Sequence, residues 1–479
     1  MPSYGSLDKT IWTVEGRKSR TWTRVEGMAA GHALWTLLSS GRHARLTRER
    51  LSAYRDRSLR RIVRHAYENV PYYRDLFDRT GISAADIRTA GDLALVPLTE
   101  KRDLKAEPPE RITARGLDPG KLTVRRTTGS TGELFTVLKS RSDEFLFHVF
   151  RLRVMWDFGL RPTDLMALIS TRTPKDSPAV WRALQRVGVY RQDRIHVAEP
   201  PGRIARILLD RKPDVITGDS AVLDRVAVEI AGIRGRYRPR FVVTGSEMLT
   251  PFMRRRIIEG FGAPAYDTYN SEEVSVIAWE CGKTGLYHVR EDNVIVEVLK
   301  DGVPVKEGDR GEVIVTALHY RARPFLRYRL GDEVTRGPDV CPCGKPFPTL
   351  KEISGRAIDY LRLPGGRELF ASALAILIYK HARWIERYEI VQEREGLVVL
   401  RAVPEVTPRP EELRTLKDLS SDCLGAGVEF RIELVQDIRP GPGGKFRIFR
   451  TKLGSPYDQG SHQTTELPPG SRPTMAPPV

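Results

Sequence analysis

From Leu51 onward, apolar residues at Leu51, Tyr54, Leu59, Ile62, Val63 and Ala66 fall near i, i+3 and i+4 spacings with arginines between them. That pattern predicts an amphipathic helix, which Pro71 ends. The first forty residues carry no clear period, although Trp12, Trp22 and Trp35 imply that part of this arm packs against something. Further along, helical stretches alternate with short β-rich runs at 214–218, 241–245, 293–299 and 311–316. Apolar strands that close on Gly and Thr before a helix predict an α/β sheet, whereas the last two runs, joined through Gly302 and Gly308, read as a hairpin. Near Gly355 the character shifts to a compact segment that ends near Leu453. From Gly454 the chain is rich in Pro, Ser, Thr and Gly and reads as a disordered tail. The resulting division is an N-terminal arm at 1–50, a large domain at 51–354, a small domain at 355–453 and a tail at 454–479.

The chain has 479 residues, 40% hydrophobic and 29% charged, which suits a folded protein of several domains. Its longest apolar stretches, such as 371–379, are far shorter than the roughly 20 residues a membrane span needs. The N-terminus lacks a basic segment followed by an apolar run, so no secretory signal is read and a cytoplasmic setting is expected. Four cysteines, Cys281, Cys341, Cys343 and Cys423, are too few for a disulfide scaffold at this length. The formal net charge is +17, and residues 1–65 hold 14 Lys and Arg against 5 Asp and Glu. Such a patch is either a solvated, arginine-rich helix face or an attractor of polyanions. No DNA- or RNA-binding motif accompanies it, so no nucleic-acid partner is expected.

The candidate chemistry starts at Arg126-Thr-Thr-Gly-Ser-Thr-Gly-Glu133, whose small hydroxyl residues and glycines suit a phosphate loop. It is not the NTPase P-loop, because Glu133 and not Lys follows Gly132. Such a cluster is common in surface turns, but others follow it in order: Thr244-Gly-Ser-Glu247, Tyr269-Asn-Ser-Glu-Glu273, Arg327-Tyr-Arg-Leu-Gly-Asp332, Gly355-Arg356 with Asp359, and Gly443-Gly-Lys445. Together with the stretch from Leu59 to Arg74, this series resembles the adenylate-forming superfamily, and within it the phenylacetate-CoA ligase and CapK-like branch. The resemblance runs from about residue 50 to residue 453.

The resemblance implies an α/β fold, with a large N-terminal α/β domain of the adenylate-forming type and a small, mobile α+β C-terminal domain. It also implies ATP and Mg²⁺ as cofactors, with a carboxylic acid activated as its acyl-AMP. Thr127, Thr128, Gly129, Ser130, Thr131 and Gly132 would hold the β- and γ-phosphates. The segment Gly245, Ser246 and Glu247 would complete the nucleotide pocket, with Tyr269 and Asn270 beside the adenine. Glu273 would hold Mg²⁺, Asp332 would accept from the ribose hydroxyls, and Arg356 would contact phosphate or ribose. Lys445 would reach in from the small domain. The chemistry agrees with these types: a carboxylate is already ionised at pH 7, so the reaction needs charge neutralisation rather than a general base. The expected acceptor is CoA, with a carrier protein or an amine as alternatives. An inactive scaffold or a zinc-bearing nucleic-acid binder is the reading from another class. A homodimer is also expected from the branch.

The sequence departs from the branch at Glu133, Leu134, Glu272 and Leu330, and Glu133 could repel triphosphate or pair with Arg125 or Arg126. Separately, Cys281, His288, Cys341 and Cys343 form C-x₆-H followed by C-x-C. Three thiolates and one imidazole match a closed, structural Zn²⁺ site. Cys423 has no partner in the pattern and reads as a small hydrophobe.

Overall fold

The computed structural model describes residues 43–128, 134–170, 179–197, 199–232, 237–246, 248–356, 360–370, 374, 377–378, 381–382, 384–438 and 449–453. The first helix described in full, α1 (Arg48–Asn69), opens where the Thr47 hydroxyl accepts from the Arg50 amide at 3.4 Å. It buries Leu51, Tyr54, Leu59, Ile62, Val63 and Ala66, the periodic set read from sequence. Val70 is extended, as a residue before proline prefers, and Pro71 then starts α2 (Pro71–Thr80).

A twelve-stranded mixed sheet is the largest sheet among the described residues. Its strands are β3 (Leu165–Ser170), β4 (Arg191–His196), β5 (Val215–Asp219), β6 (Phe241–Gly245), β7 (Ala265–Ser271), β8 (Ser275–Glu280), β9 (Tyr287–Val289), β10 (Val294–Lys300), β11 (Val303–Pro304), β12 (Arg310–Ala317), β13 (Tyr328–Arg336) and β14 (Thr349–Arg356). The order is β11-β10-β12-β13-β14-β9-β8-β7-β6-β5-β3-β4. The run β4-β3-β5-β6-β7 is parallel, and from β7 onward every pairing is antiparallel. Parallel strands need both faces covered, which is why β6 is buried along its whole length. Helices α3 (Pro201–Arg211), α4 (Ser220–Gly232) and α5 (Pro251–Phe261) pack there, contributing Ile204, Leu208, Leu223, Val226 and Ile257 to the apolar cluster that contains Ile216 and Val242. The expected hairpin of 293–299 and 311–316 is β10 against β12, and β11, from the loop that joins them, pairs with the outer side of β10 at the sheet edge.

Ahead of this sheet, β1 (Thr123–Thr128) and β2 (Leu134–Lys139) form a separate antiparallel hairpin. The helix Arg141–Asp157 follows, capped by Ser140, whose hydroxyl accepts from the Asp143 amide at 3.2 Å. C-terminal to residue 360, a second apolar core gathers Leu361, Leu374, Ile390, Leu400, Leu416 and Phe430. It lies under a four-stranded sheet built on the hairpin Ile385–Arg394 and Leu397–Pro404. A large sheet with flanking helices therefore accompanies a smaller α+β core of its own, and the α/β expectation holds. Among the described residues, no helix is long and apolar enough to cross a membrane.

Candidate active site

The sheet changes from parallel to antiparallel at β7, and the candidate residues gather at the C-terminal end of that strand. Ligands in open α/β sheets bind outside the carboxyl ends of strands where the strand order changes sense. A buried polar network holds β7 in place from below. The Thr244 hydroxyl donates to Asp267 Oδ1 at 2.7 Å, and the Tyr287 hydroxyl donates to Oδ2 at 2.9 Å. Burial pushes the Asp267 carboxyl up to about 6, with those two hydrogen bonds working against it. Arg254 and the Asp267 amide both donate to Glu280, tying α5 to the same strand.

At the strand end, Gly245 of β6 sits against β7 so closely that a Cβ would come within 2.7 Å of both the Asn270 amide nitrogen and the Thr268 hydroxyl. Asn270 Nδ2 donates to the Thr268 carbonyl at 3.0 Å. Ser246 then adopts φ +70°, a left-handed conformation costly for a non-glycine residue and characteristic of functional turns. The Tyr269 hydroxyl donates to Asp332 Oδ2 at 2.6 Å across 63 residues of sequence. Asp332, on β13, is in register with Arg356 on β14. Four of the separated sequence segments thus reach one end of one sheet.

Glu273, just past β7, is buried, and that burial pushes its carboxyl above the ordinary glutamate value; its backbone amide and Ser271 pull the other way. Thr127 and Thr128 end β1, opposite Phe135 and Leu134. The loop residues Gly129, Ser130, Thr131 and Gly132, together with Glu247, Asp359 and Lys445, lie outside the described residues. The guanidinium of Arg125, one proposed partner for Glu133, makes a two-pronged pair with Glu144 at 2.9 and 2.8 Å.

One charged neighbour escaped the sequence reading. Lys139, at the end of β2, is almost fully buried, with its ammonium 3.8 Å from Glu272 and 3.7 Å from the centroid of the Phe147 ring. Its only sequence signal was its place one strand after the phosphate loop, which by itself does not separate it from a surface lysine. Glu272, one of the departures from the branch pattern, therefore faces a buried cation.

The four metal-site candidates also meet. The ligand atoms of Cys281, His288, Cys341 and Cys343 all lie within 4.8 Å of one another. Cys343 Sγ is 3.3 Å from His288 Nε2. Zn–S bonds of about 2.3 Å in a tetrahedron require ligand separations of about 3.7 Å, so this donor set fits a zinc ion after a small contraction. Burial holds His288 down at about 4, so its imidazole is neutral, the form that ligates. Gly344, at φ +89°, turns the chain so that its amide reaches the Cys341 carbonyl at 3.0 Å. The cluster joins the end of β8 and strand β9 to the connection between β13, which bears Asp332, and β14, which bears Arg356.

No model of a known protein family matches the chain. A phenylacetate-coenzyme A ligase of Thermus thermophilus is 27% identical over 364 residues, covering 73% of this chain and 80% of the relative. Protein CapK of Staphylococcus aureus is 21% identical over 394 residues, covering 80% of this chain and 85% of the relative. A 2-hydroxyisobutyryl-CoA ligase, solved in the postadenylation state with an acyl-AMP, shares the fold at a TM-score of 0.72, with 21% identity over 85% of this chain and 91% of that one. The fold is that of the adenylate-forming CoA ligases, and the separated sequence segments that resemble that superfamily meet at one end of its sheet. In sequence, the chain is similar to members of the phenylacetate-CoA ligase and CapK-like branch of that superfamily.

Proposed function

We propose that this protein is an AMP-forming acid–thiol ligase: it condenses a carboxylic acid with ATP to an acyl-AMP, releases pyrophosphate, and passes the acyl group to the thiol of CoA. The observation that carries the reading is the convergence of Gly245, Tyr269, Glu273 and Asp332 at the end of β7, where the sheet changes sense. The relatives named above supply the reaction class. In this reading Thr127, Thr128 and the loop 129–132 cradle the β- and γ-phosphates. Tyr269 packs on adenine while Asp332 accepts from ribose, and Arg356, in register beside Asp332, contacts the same nucleotide. Glu273 would hold Mg²⁺, which offsets charge on the phosphates when bound. Lys445 would place its ammonium at the α-phosphoryl oxygens as negative charge builds there, and the surrounding glycines let its loop come close.

No proton needs to be removed from the attacking carboxylate, so the residues act by position and charge. Cys281, His288, Cys341 and Cys343 would hold a structural Zn²⁺ with no open position for substrate.

The test is exchange of labelled pyrophosphate into ATP, run across a library of carboxylic acids, followed by mass spectrometry of the products with CoA. Acid-dependent exchange and a CoA thioester are expected. Failure of every acid to support exchange, in protein that binds ATP, overturns the proposal.

A further inference from the structure

The basic character of the N-terminal region is not used by the chemistry above, and the structure shows where much of it goes. Arg57, Arg60, Arg61 and Arg64 stand on α1 at i, i+3, i+4 and i+7, which places them on one helix face over roughly 10 Å. They line one wall of a groove of about 390 Å³, and Arg321 lines the other. Five guanidinium groups face one carboxylate there, that of Glu68. Two other arginines of α1 are neutralised: Arg48 and Arg55 both pair with Glu291, and Arg55 also pairs with Asp56 at 2.8 Å. Among the described residues, no ion pair engages the five groove arginines. Like charges spaced i, i+4 repel along a helix, so this stripe opposes its own folding unless a counter-charge sits in the groove.

The far wall is held in place. Asp143 accepts the Arg321 amide at 3.0 Å and the Ala322 amide at 3.2 Å, while His65 Nε2 meets the Arg321 carbonyl at 2.9 Å. Arg60 is positioned in turn by donating to the Arg88 carbonyl at 2.8 Å. These contacts fix the Arg321 backbone and the Arg60 side chain beside α1.

We infer that this groove is a second anion site, separate from the nucleotide site, and that it takes a small molecule bearing two or more phosphate groups. Guanidinium forks bind phosphate oxygens two at a time, and several on one face match successive phosphates. The volume suits a small ligand of nucleotide size. A free pyrophosphate and a nucleotide with separated phosphates share this chemistry, so both serve as probes.

Calorimetric titrations of inorganic pyrophosphate and of adenosine 3′,5′-bisphosphate into the full chain test the inference, each at low and at about 150 mM salt. Arg61→Ala/Arg64→Ala is expected to weaken one class of binding at least about tenfold, while the KM for ATP in the exchange assay stays within about twofold. Arg61→Lys/Arg64→Lys, which keeps charge but loses the fork, is expected to lose less. Circular dichroism confirms that both exposed-site variants fold. Unchanged binding in the alanine variant overturns the inference, as does a parallel loss of ATP affinity, which would merge the groove with the nucleotide site. Arginine-dependent binding of duplex DNA or anionic vesicles with no binding of either small probe overturns it as well.

Discussion

At the scale of single residues, the site depends on very close approaches between side chains far apart in sequence. Gly245 is a glycine because β6 and β7 meet at the Asn270 amide with no room for a methyl group. Gly245→Ala is therefore expected to cost about 1–3 kcal/mol of stability through overpacking and to raise the KM for ATP, read by thermal unfolding and by pyrophosphate exchange. Tyr269 matters through its hydroxyl as well as its ring. Tyr269→Phe removes the 2.6 Å hydrogen bond to Asp332. A hydrogen bond to a charged acceptor is worth about 1.5–3 kcal/mol, so a rise of roughly tenfold or more in the ATP KM is expected while the fold survives. An unchanged KM would show that Asp332 is oriented by other groups. The motif segments that hold these residues were legible because their order along the chain is distinctive. Lys139 was not, since a buried lysine and an exposed one are written with the same letter, and only packing against Phe147 distinguishes them.

At the scale of elements, buried polar pairs fix how helix, hairpin and loop meet. Arg290 and Asp292 are both nearly inaccessible and bond through two contacts of 3.0 Å, with His43 adding 2.9 Å to the same carboxylate. Burial alone would raise the Asp292 carboxyl, but the Arg290 guanidinium and His43 override it and hold the group well below the usual carboxylate range. The unfolded chain thus takes up the proton first. The stability this group supplies is complete above its unfolded value of about 3.9 and is lost as pH falls below that. Asp292→Asn leaves Arg290 buried without its counter-charge, and a loss of about 3–5 kcal/mol is expected at neutral pH, with a weaker acid dependence in denaturant titrations. The Cys/His cluster is the other element-level tie. Elemental analysis is expected to find about one zinc per chain, and Cys341→Ser to lose the metal and lower the unfolding temperature by several degrees. Zinc-free protein with an unchanged melting temperature would rule out a structural role.

At the scale of the whole molecule, the proposed chemistry divides between two cores, one built on the twelve-stranded sheet and one gathered around Leu361 to Phe449. Lys445, expected to neutralise the α-phosphoryl group, lies in sequence between Phe430 and Phe449 of the second. Lys445→Ala is therefore expected to reduce acyl-AMP formation by roughly 10²- to 10³-fold while the transfer from chemically made acyl-AMP to CoA largely survives. Single-turnover assays of each half-reaction read the two outcomes, and equal loss of both would remove Lys445 from the adenylation step. In the proposed function, such a division would allow closure for one step and rotation for the next, keeping water from the activated acid.

The local patterns were decided by sequence alone. The α1 stripe, the apolar strands β5 and β6 and the β10–β12 hairpin all follow from periodicity and turn residues, because each reports only which face of an element avoids water. The cysteine and histidine spacing likewise singled out four side chains that meet in space. The tertiary structure decided what those elements meet. It placed Tyr269 on Asp332, buried Lys139 beside Glu272, and set Arg321 opposite four arginines of α1. Each of these contacts joins residues separated by many positions, so its energy exists only once the chain is closed on itself, and no local pattern carries it.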